Sequence, residues 1–218
     1  MSVSDSGVPE CDDYTCRLDL QSGWVVLTLD SDLRADADEL ARKEVEQFNP
    51  LKLTVRKGDL SKEMSRLALE ANKSGSVLTG AYYTDTGVNL ANLEIDVYRD
   101  EGVYPTPADI QPLLQEWKDV EITGEPDVAY LDLPAGPAVR VQATFRTKGV
   151  LGFGRRLIEI VRFAVCPPTT NNVVVVTVRW EDFEFTEELT ELTDGLMPSL
   201  TLIPLDENGN EIDPESRK

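Results

Sequence analysis

"AVRVQATFRTKGVLGFGRRLIEIVRFAVCPPTTNNVVVVTVRW", residues 138 to 180, contains three β-prone runs in close succession. AVRVQATFRT, RRLIEIVRFAV and NVVVVTVRW are separated only by KGVLGFG and CPPTTN. Connections this short join antiparallel neighbours and do not suit parallel crossovers. Val173 to Val178 is almost unbroken apolar sequence, which predicts a central strand covered on both faces. The stretch therefore decides for an antiparallel sheet.

Upstream, GWVVLTLD (23 to 30) alternates as one strand. Asp36 and Glu39 form a capping-box pattern ahead of helical spacing that runs to Phe48 and stops at Asn49-Pro50. A second helix is predicted from about Asp59 to Lys73, burying Leu60, Met64, Leu67, Ala68 and Ala71, with Gly75 beyond its end. SVLTGAYYT (76 to 84) and NLEIDVYR (92 to 99) read as an antiparallel pair across a Thr-Asp-Thr-Gly turn. PTPADIQPLLQEW predicts a short helix with Thr106 as cap, Pro107 at its first position, and Ile110, Leu113, Leu114 and Trp117 on one face; Pro112 shortens or kinks it. A last helix from about Thr186 to Leu200 sets Leu189, Leu192, Leu196 and Leu200 against the sheet, and TLIPL adds an edge strand. The order β-α-α-β-β-α-β-β-β-β-α predicts an α+β fold, a central antiparallel β-sheet with helices packed on it.

GWVVLTLDSDL, the helical pair, VLTGAYYT, LPAGPAVRVQATFR, VRFAVCP, VVVVTVRW and the Leu-spaced final helix ending in PSL resemble a group of uncharacterised actinobacterial proteins. These are similar in layout to the PsbP-like α/β/α sandwich group, which includes the LpqN-type mycobacterial proteins. The resemblance spans about residues 20 to 203 and implies a PsbP-like sandwich with accessory or binding roles. It carries over no catalytic residue.

The chain has 218 residues with 21 Lys and Arg against 40 Asp and Glu, a formal charge of −19. That length suits one domain, read here as 21 to 205 between an acidic, mobile arm (1 to 20) and a polar acidic tail (206 to 218). The charge repels a phosphate backbone, which disfavours nucleic acid. No apolar run approaches the roughly 18 residues of a membrane span. MSVSDSGVPECDDYTC has neither the basic start nor the apolar core of a secretory signal, so a cytoplasmic location is expected. Cys11, Cys16 and Cys166 are an odd number and suit reduced thiols, although Cys11 and Cys16 are close enough in sequence to pair under oxidation. Histidine is absent, which removes the usual general base and the commonest zinc ligand. No catalytic residue, metal site or cofactor is predicted.

The other signals are basic and acidic groups on the strands. Arg146, Lys148, Arg155 and Arg156 surround Gly152-Phe153-Gly154 in an acidic chain. A dinucleotide fingerprint needs a third glycine and a following helix, whereas a β-prone run follows here. A hairpin tip offering Arg146, Lys148, Phe153, Arg155 and Arg156 to a partner is the better reading. Arg140, Arg162 and Arg179 lie on three successive strands and are expected to form a basic stripe, or else to pair internally with carboxylates. Glu94 and Asp96 alternate on one strand and share a face. Trp24, Tyr82, Tyr83, Tyr98, Tyr104 and Trp117 either line an interface or fill the core. DENGNEID has calcium-ligand residue types, but its glycine is misplaced for an EF-hand loop.

These features predict a non-enzymatic binding or accessory module that docks a protein partner through the basic hairpin or an acidic surface. The alternative is a small-ligand-binding or carboxylate-based enzyme domain using a crevice between sheet and helix. An inhibitor or immunity protein for a basic toxin, or a structural subunit of an assembly, are further alternatives.

Overall fold

Alternating side chains in long strands and 3.6-residue spacing in the helices divide the chain into elements whose order fixes the fold. The computed structural model describes residues 14–29, 31, 33–99, 104–116, 120–147, 156–168, 171–205 and 211. Its strands are β1 (Tyr14–Arg17), β2 (Trp24–Val26), β3 (Leu78–Tyr83), β4 (Asn89–Arg99), β5 (Val120–Leu133), β6 (Gly136–Thr147), β7 (Leu157–Val165), β8 (Asn172–Trp180) and β9 (Thr201–Pro204). The helices are α1 (Arg34–Glu46), α2 (Lys57–Ser74), α3 (Pro107–Gln115) and α4 (Thr186–Leu196). The protein is α+β: seven strands pair antiparallel in the order β2-β3-β4-β8-β7-β6-β5, and β1 pairs with β9 in a separate two-stranded ribbon.

The Val-rich run becomes β8, the middle strand of the seven. Val173, Val174, Val175, Val176 and Val178 are all buried: Val174, Val176 and Val178 pack with α4 on one face, and Val173 and Val175 with Leu114 of α3 on the other. One face packs on α4 through Phe163, Val176, Trp180, Leu189 and Leu196. The other face carries two separate helical covers. α1 and α2 link neighbouring strands β2 and β3, and bury Ala41, Val45, Leu60, Met64 and Ala68 over Val25 and Ala81. α3 links β4 near the middle to β5 at the far edge, so it must cross the sheet, and Leu114 lands on Val139, Val141 and Ala164. Between these covers the centre of the face is left without a helix above it.

Local chemistry explains most boundaries. α2 ends at Gly75, whose φ of 79° forms a left-handed cap that residues with a side chain rarely adopt. α3 begins with a reciprocal box: the Asp109 carboxylate accepts from the Thr106 backbone N–H (3.1 Å) and hydroxyl (2.5 Å). Gly136 turns β5 into β6 at φ 142°, and a Cβ there would lie 2.6 Å from the Cys166 carbonyl oxygen.

Three local expectations change. α1 starts at Arg34 rather than after Asp36; its cap position is Leu33, and Asp36 sits inside the first turn, accepting from the Ser31 hydroxyl. The first sheet strand shrinks to three residues, although Leu27 N–H still donates to Thr79 O at 2.8 Å. Residues 14 to 17 are a strand because Cys16 packs into the α4-side core and β9 supplies the partner. Near the other terminus, Leu205 bridges Glu211 and the Glu211 carboxylate pairs with Arg17.

Candidate functional site

The seven-stranded register assigns every strand side chain to a face. Val141, Arg162, Thr177, Glu94 and Thr79 form one row across β6, β7, β8, β4 and β3. The rows on either side on the same face contain Val139, Ala164, Val175 and Asp96, and Ala143, Ile160, Arg179 and Asn92. Arg162, Arg179, Glu94, Asp96 and Thr177 therefore share the face that α3 crosses, in the gap between α3 and α2. Arg140 is opposite Phe163 and points to the α4 side.

The expected stripe of Arg140, Arg162 and Arg179 is thus divided between two faces. The physical reason is parity: antiparallel registry sets Val141, not Arg140, beside Arg162. Arg140 is only 6% exposed and is paired internally. Its Nε donates to Asp194 Oδ1 at 2.8 Å, Nη1 to Asp127 Oδ2 at 2.9 Å and Nη2 to Gln142 Oε1 at 2.6 Å. Gln142 Nε2 in turn donates to the buried Glu159 at 2.9 Å, and the Thr144 hydroxyl to its other oxygen at 2.6 Å. Arg140 and Glu159 are buried in this network, while the Asp127 and Asp194 carboxylates reach the surface.

The opposite face is open. A crevice of about 310 Å³ lies under α3, walled by Ile110, Leu113, Leu114, Val173 and Val175. Asp96, Arg162 and Thr177 form its polar floor, with Tyr98 at the rim. Tyr98 and Leu113 are each 57% exposed, so two large apolar side chains stand at the mouth. Arg162 Nη1 donates to Leu114 O at 3.2 Å, tying floor to roof. The Asp96 carboxylate accepts from the Ser76 hydroxyl at 2.8 Å. Next to it, Arg179 Nη2 donates to Glu94 Oε1 at 2.9 Å, with both side chains partly exposed.

The floor groups act on one another electrostatically. Burial pulls the Arg162 guanidinium down from its ordinary value, and Tyr98, Asp96 and Glu94 oppose that pull. Burial, then the Asp96 charge, push the Tyr98 phenol up, while Arg162 pulls it down. Arginine keeps its charge under any such shift. One cation, Arg162, and one anion, Asp96, therefore share a partly dry floor with little net charge.

Two other concavities are less suited to a ligand. The larger, about 470 Å³, lies between α2 and the end of β8, and its arginines are engaged by carboxylates: Arg66 with Glu70 at 2.6 Å, Arg156 with Glu181 at 3.4 Å and Arg179 with Glu94. The third, about 350 Å³, lies beside Trp24, Phe48 and Tyr83, at the edge of the α1–α2 core.

The basic hairpin is only partly described. Lys148, Phe153 and Arg155 lie outside the described residues, as do Cys11 and Trp117. Arg146 stands near the end of β6 opposite Leu157 and Glu121, and Arg156 is exposed just before β7. Cys16 and Cys166 are buried free thiols; burial raises Cys16 to about 12 and also raises Cys166, which suppresses thiolate chemistry. Among the described residues, no three Cys, Asp or Glu side chains gather as a metal site, and no helix is long and apolar enough to cross a membrane.

The sequence pointed to Glu94 with Asp96 and to Arg162 with Arg179 as separate features. That they meet on one floor is not visible in it. Thr177, the one polar residue inside the Val173 to Val178 run, was the available signal. Its polarity in a central strand marks the place where the face is not sealed by apolar packing.

No family model matches the chain, and no curated protein matches it. Among solved structures, the crystal structure of LpqN of Mycobacterium tuberculosis, described as involved in cell envelope biogenesis, is similar over 91% of this chain and 88% of that one. The two are 14% identical, with a TM-score of 0.46.

Proposed function

We propose that the protein is a non-enzymatic binding module whose ligand site is the crevice under α3. The observation that carries this reading is the combination of an open apolar wall with a charged floor in the gap between two helical covers of the sheet. Ligand sites characteristically join apolar lining to a few placed polar groups, in volumes from about 300 Å³ upward. The crevice meets that description and sits at the low end of the range. The same residue types on the α4 side are consumed by mutual pairing, so the open floor is the better candidate for recognition.

The test is a titration of the full chain with small mixed apolar and polar fragments, followed by backbone amide NMR. The expected result is a cluster of shifted resonances at Asp96, Ile110 to Leu114, Arg162 and Thr177, abolished by Leu113→Asp. That substitution sits at an exposed position and leaves the fold intact. Shifts confined to other surfaces, or none at all, would remove the crevice as the site.

Docking of a protein partner through Arg146, Lys148, Phe153, Arg155 and Arg156 is the second reading. It is favoured by Arg156, a highly exposed cation whose ion pair with Glu181, at 3.4 Å, is itself at the surface. Exposed pairs of this kind contribute little and exchange readily for a partner's carboxylate. In a pull-down from a lysate of the native host, Arg146→Glu/Arg156→Glu should lose a specific protein that the wild type retains. Retention of that protein by the double variant would end this reading.

A further inference from the structure

The charges on the crevice floor narrow the class of ligand. Arg162 stands on β7, Asp96 on β4, with β8 between them. Ordinary strand spacing separates their backbones by about 10 Å across the sheet, a gap the long arginine side chain shortens. On β8, Thr177 neighbours Arg162 and Val175 neighbours Asp96, so the cation and the hydroxyl share one row and the Asp96 anion lies diagonally across in the next. A guanidinium has several N–H donors in a fork and a carboxylate several lone pairs. Arg162, which donates to Leu114 O, and Asp96, which accepts from Ser76, can therefore each serve more than one partner.

A ligand with only an anionic head would meet Arg162 but also face Asp96. A purely cationic head would meet the reverse. A neutral apolar ligand would strip water from both charges and return nothing, which is unfavourable for buried polar groups. Only a ligand bearing both charges close together, with an apolar body for Ile110, Leu113, Leu114, Val173 and Val175, satisfies floor and walls at once. Given the crevice as the binding site, a reading on which this assignment rests, we infer that it binds a zwitterionic amino acid with an apolar side chain. The carboxylate lies on Arg162, the ammonium on Asp96 and the side chain under α3. A volume of about 310 Å³ suits a ligand of that size. Tyr98 and Leu113 at the mouth would close over the side chain.

The experiment compares three probes on the full wild-type chain at one ionic strength: L-phenylalanine, 3-phenylpropanoate and 2-phenylethylamine. These share one apolar body and differ only in their charges. Affinity is read from amide shifts at Asp96, Leu114, Arg162 and Thr177. L-Phenylalanine should bind at least about tenfold more tightly than either single-charge probe. Asp96→Asn should reduce its affinity toward that of the propanoate, and Arg162→Gln toward that of the amine. If either single-charge probe matches L-phenylalanine in the wild type, the zwitterion is overturned while the crevice remains the site. If none of the three shifts the crevice but other fragments do, the ligand class alone fails. If no compound of any kind shifts it, the site reading fails with it. The comparison on wild-type protein decides even where a variant is too unstable to use.

Discussion

The two faces of the seven-stranded sheet use the same kinds of side chain to opposite ends. Toward α4, Arg140 is sealed in by Asp127, Asp194 and Gln142, and Glu159 is held by Gln142 and Thr144. Toward α3, Arg162 and Asp96 line an opening beside Tyr98 and Leu113, while Arg179 is paired with Glu94 on the same face. The difference is one of coverage. α4 belongs to a sealed packing layer with Leu189 and Leu196 in the core, whereas α3 has nine residues, buries Leu114 and leaves Leu113 exposed. A charge under the first layer is buried in the fold, and a charge beside the second lines the crevice.

Stability measurements can break that contrast. The largest effect should come from Asp127→Ala/Asp194→Ala, which leaves the buried Arg140 guanidinium without its carboxylates. A loss of about 3 kcal/mol is expected from urea unfolding, since removing the partners of a buried charge is strongly destabilising. The change on the other face, Asp96→Ala, should cost only about 1 kcal/mol, because what it gives up at short range is a hydrogen bond from the Ser76 hydroxyl rather than the carboxylate partner of a buried charge. Equal losses from the two variants would mean that the crevice floor is part of the structural core, and would count against a ligand there.

A smaller effect should follow from loosening the roof. Thr106→Ala removes one of the two hydrogen bonds to Asp109 and should reduce the local stability of α3 by about 1 kcal/mol. Amide exchange should quicken in Ile110 to Leu114 and stay unchanged in α4. Uniform acceleration across both helices would show that they open together rather than as separate covers.

The smallest effect is a pH dependence confined to the same cap. Hydrogen bonds from the Thr106 side chain and backbone hold the Asp109 carboxyl below its ordinary range. Its contribution is therefore complete above the unfolded-state value and is lost as pH falls through the lower folded-state value. Acidification should raise exchange at the start of α3 before it affects α2, whose end is capped by Gly75 without a titrating group. Simultaneous loss at both helices would assign the acid response to global unfolding.

Much of this architecture was legible in the residues. Short links between three β-prone runs dictated antiparallel neighbours, and the Val173 to Val178 run marked its strand as central. Thr106 with Asp109, and Gly75 after a Leu- and Ala-rich face, located two helix ends because capping is chemistry between residues near in sequence. Arg140, Arg162 and Arg179 show where such reasoning stops. Alternation tells which residues of one strand share a face, but joining faces across strands needs the register, and a shift of one residue reverses it.

What the sequence determined by itself was the fold class, the middle strand and the acidic, histidine-free chemistry, because these follow from composition, period and local capping. What only the tertiary structure decided was which arginine lies under α4 and which lie on the α3 face. That depended on the antiparallel pairing of β6 with β7 and on α3 having to cross the sheet to reach β5. Both are long-range consequences of how the chain closes on itself, and no local pattern encodes them.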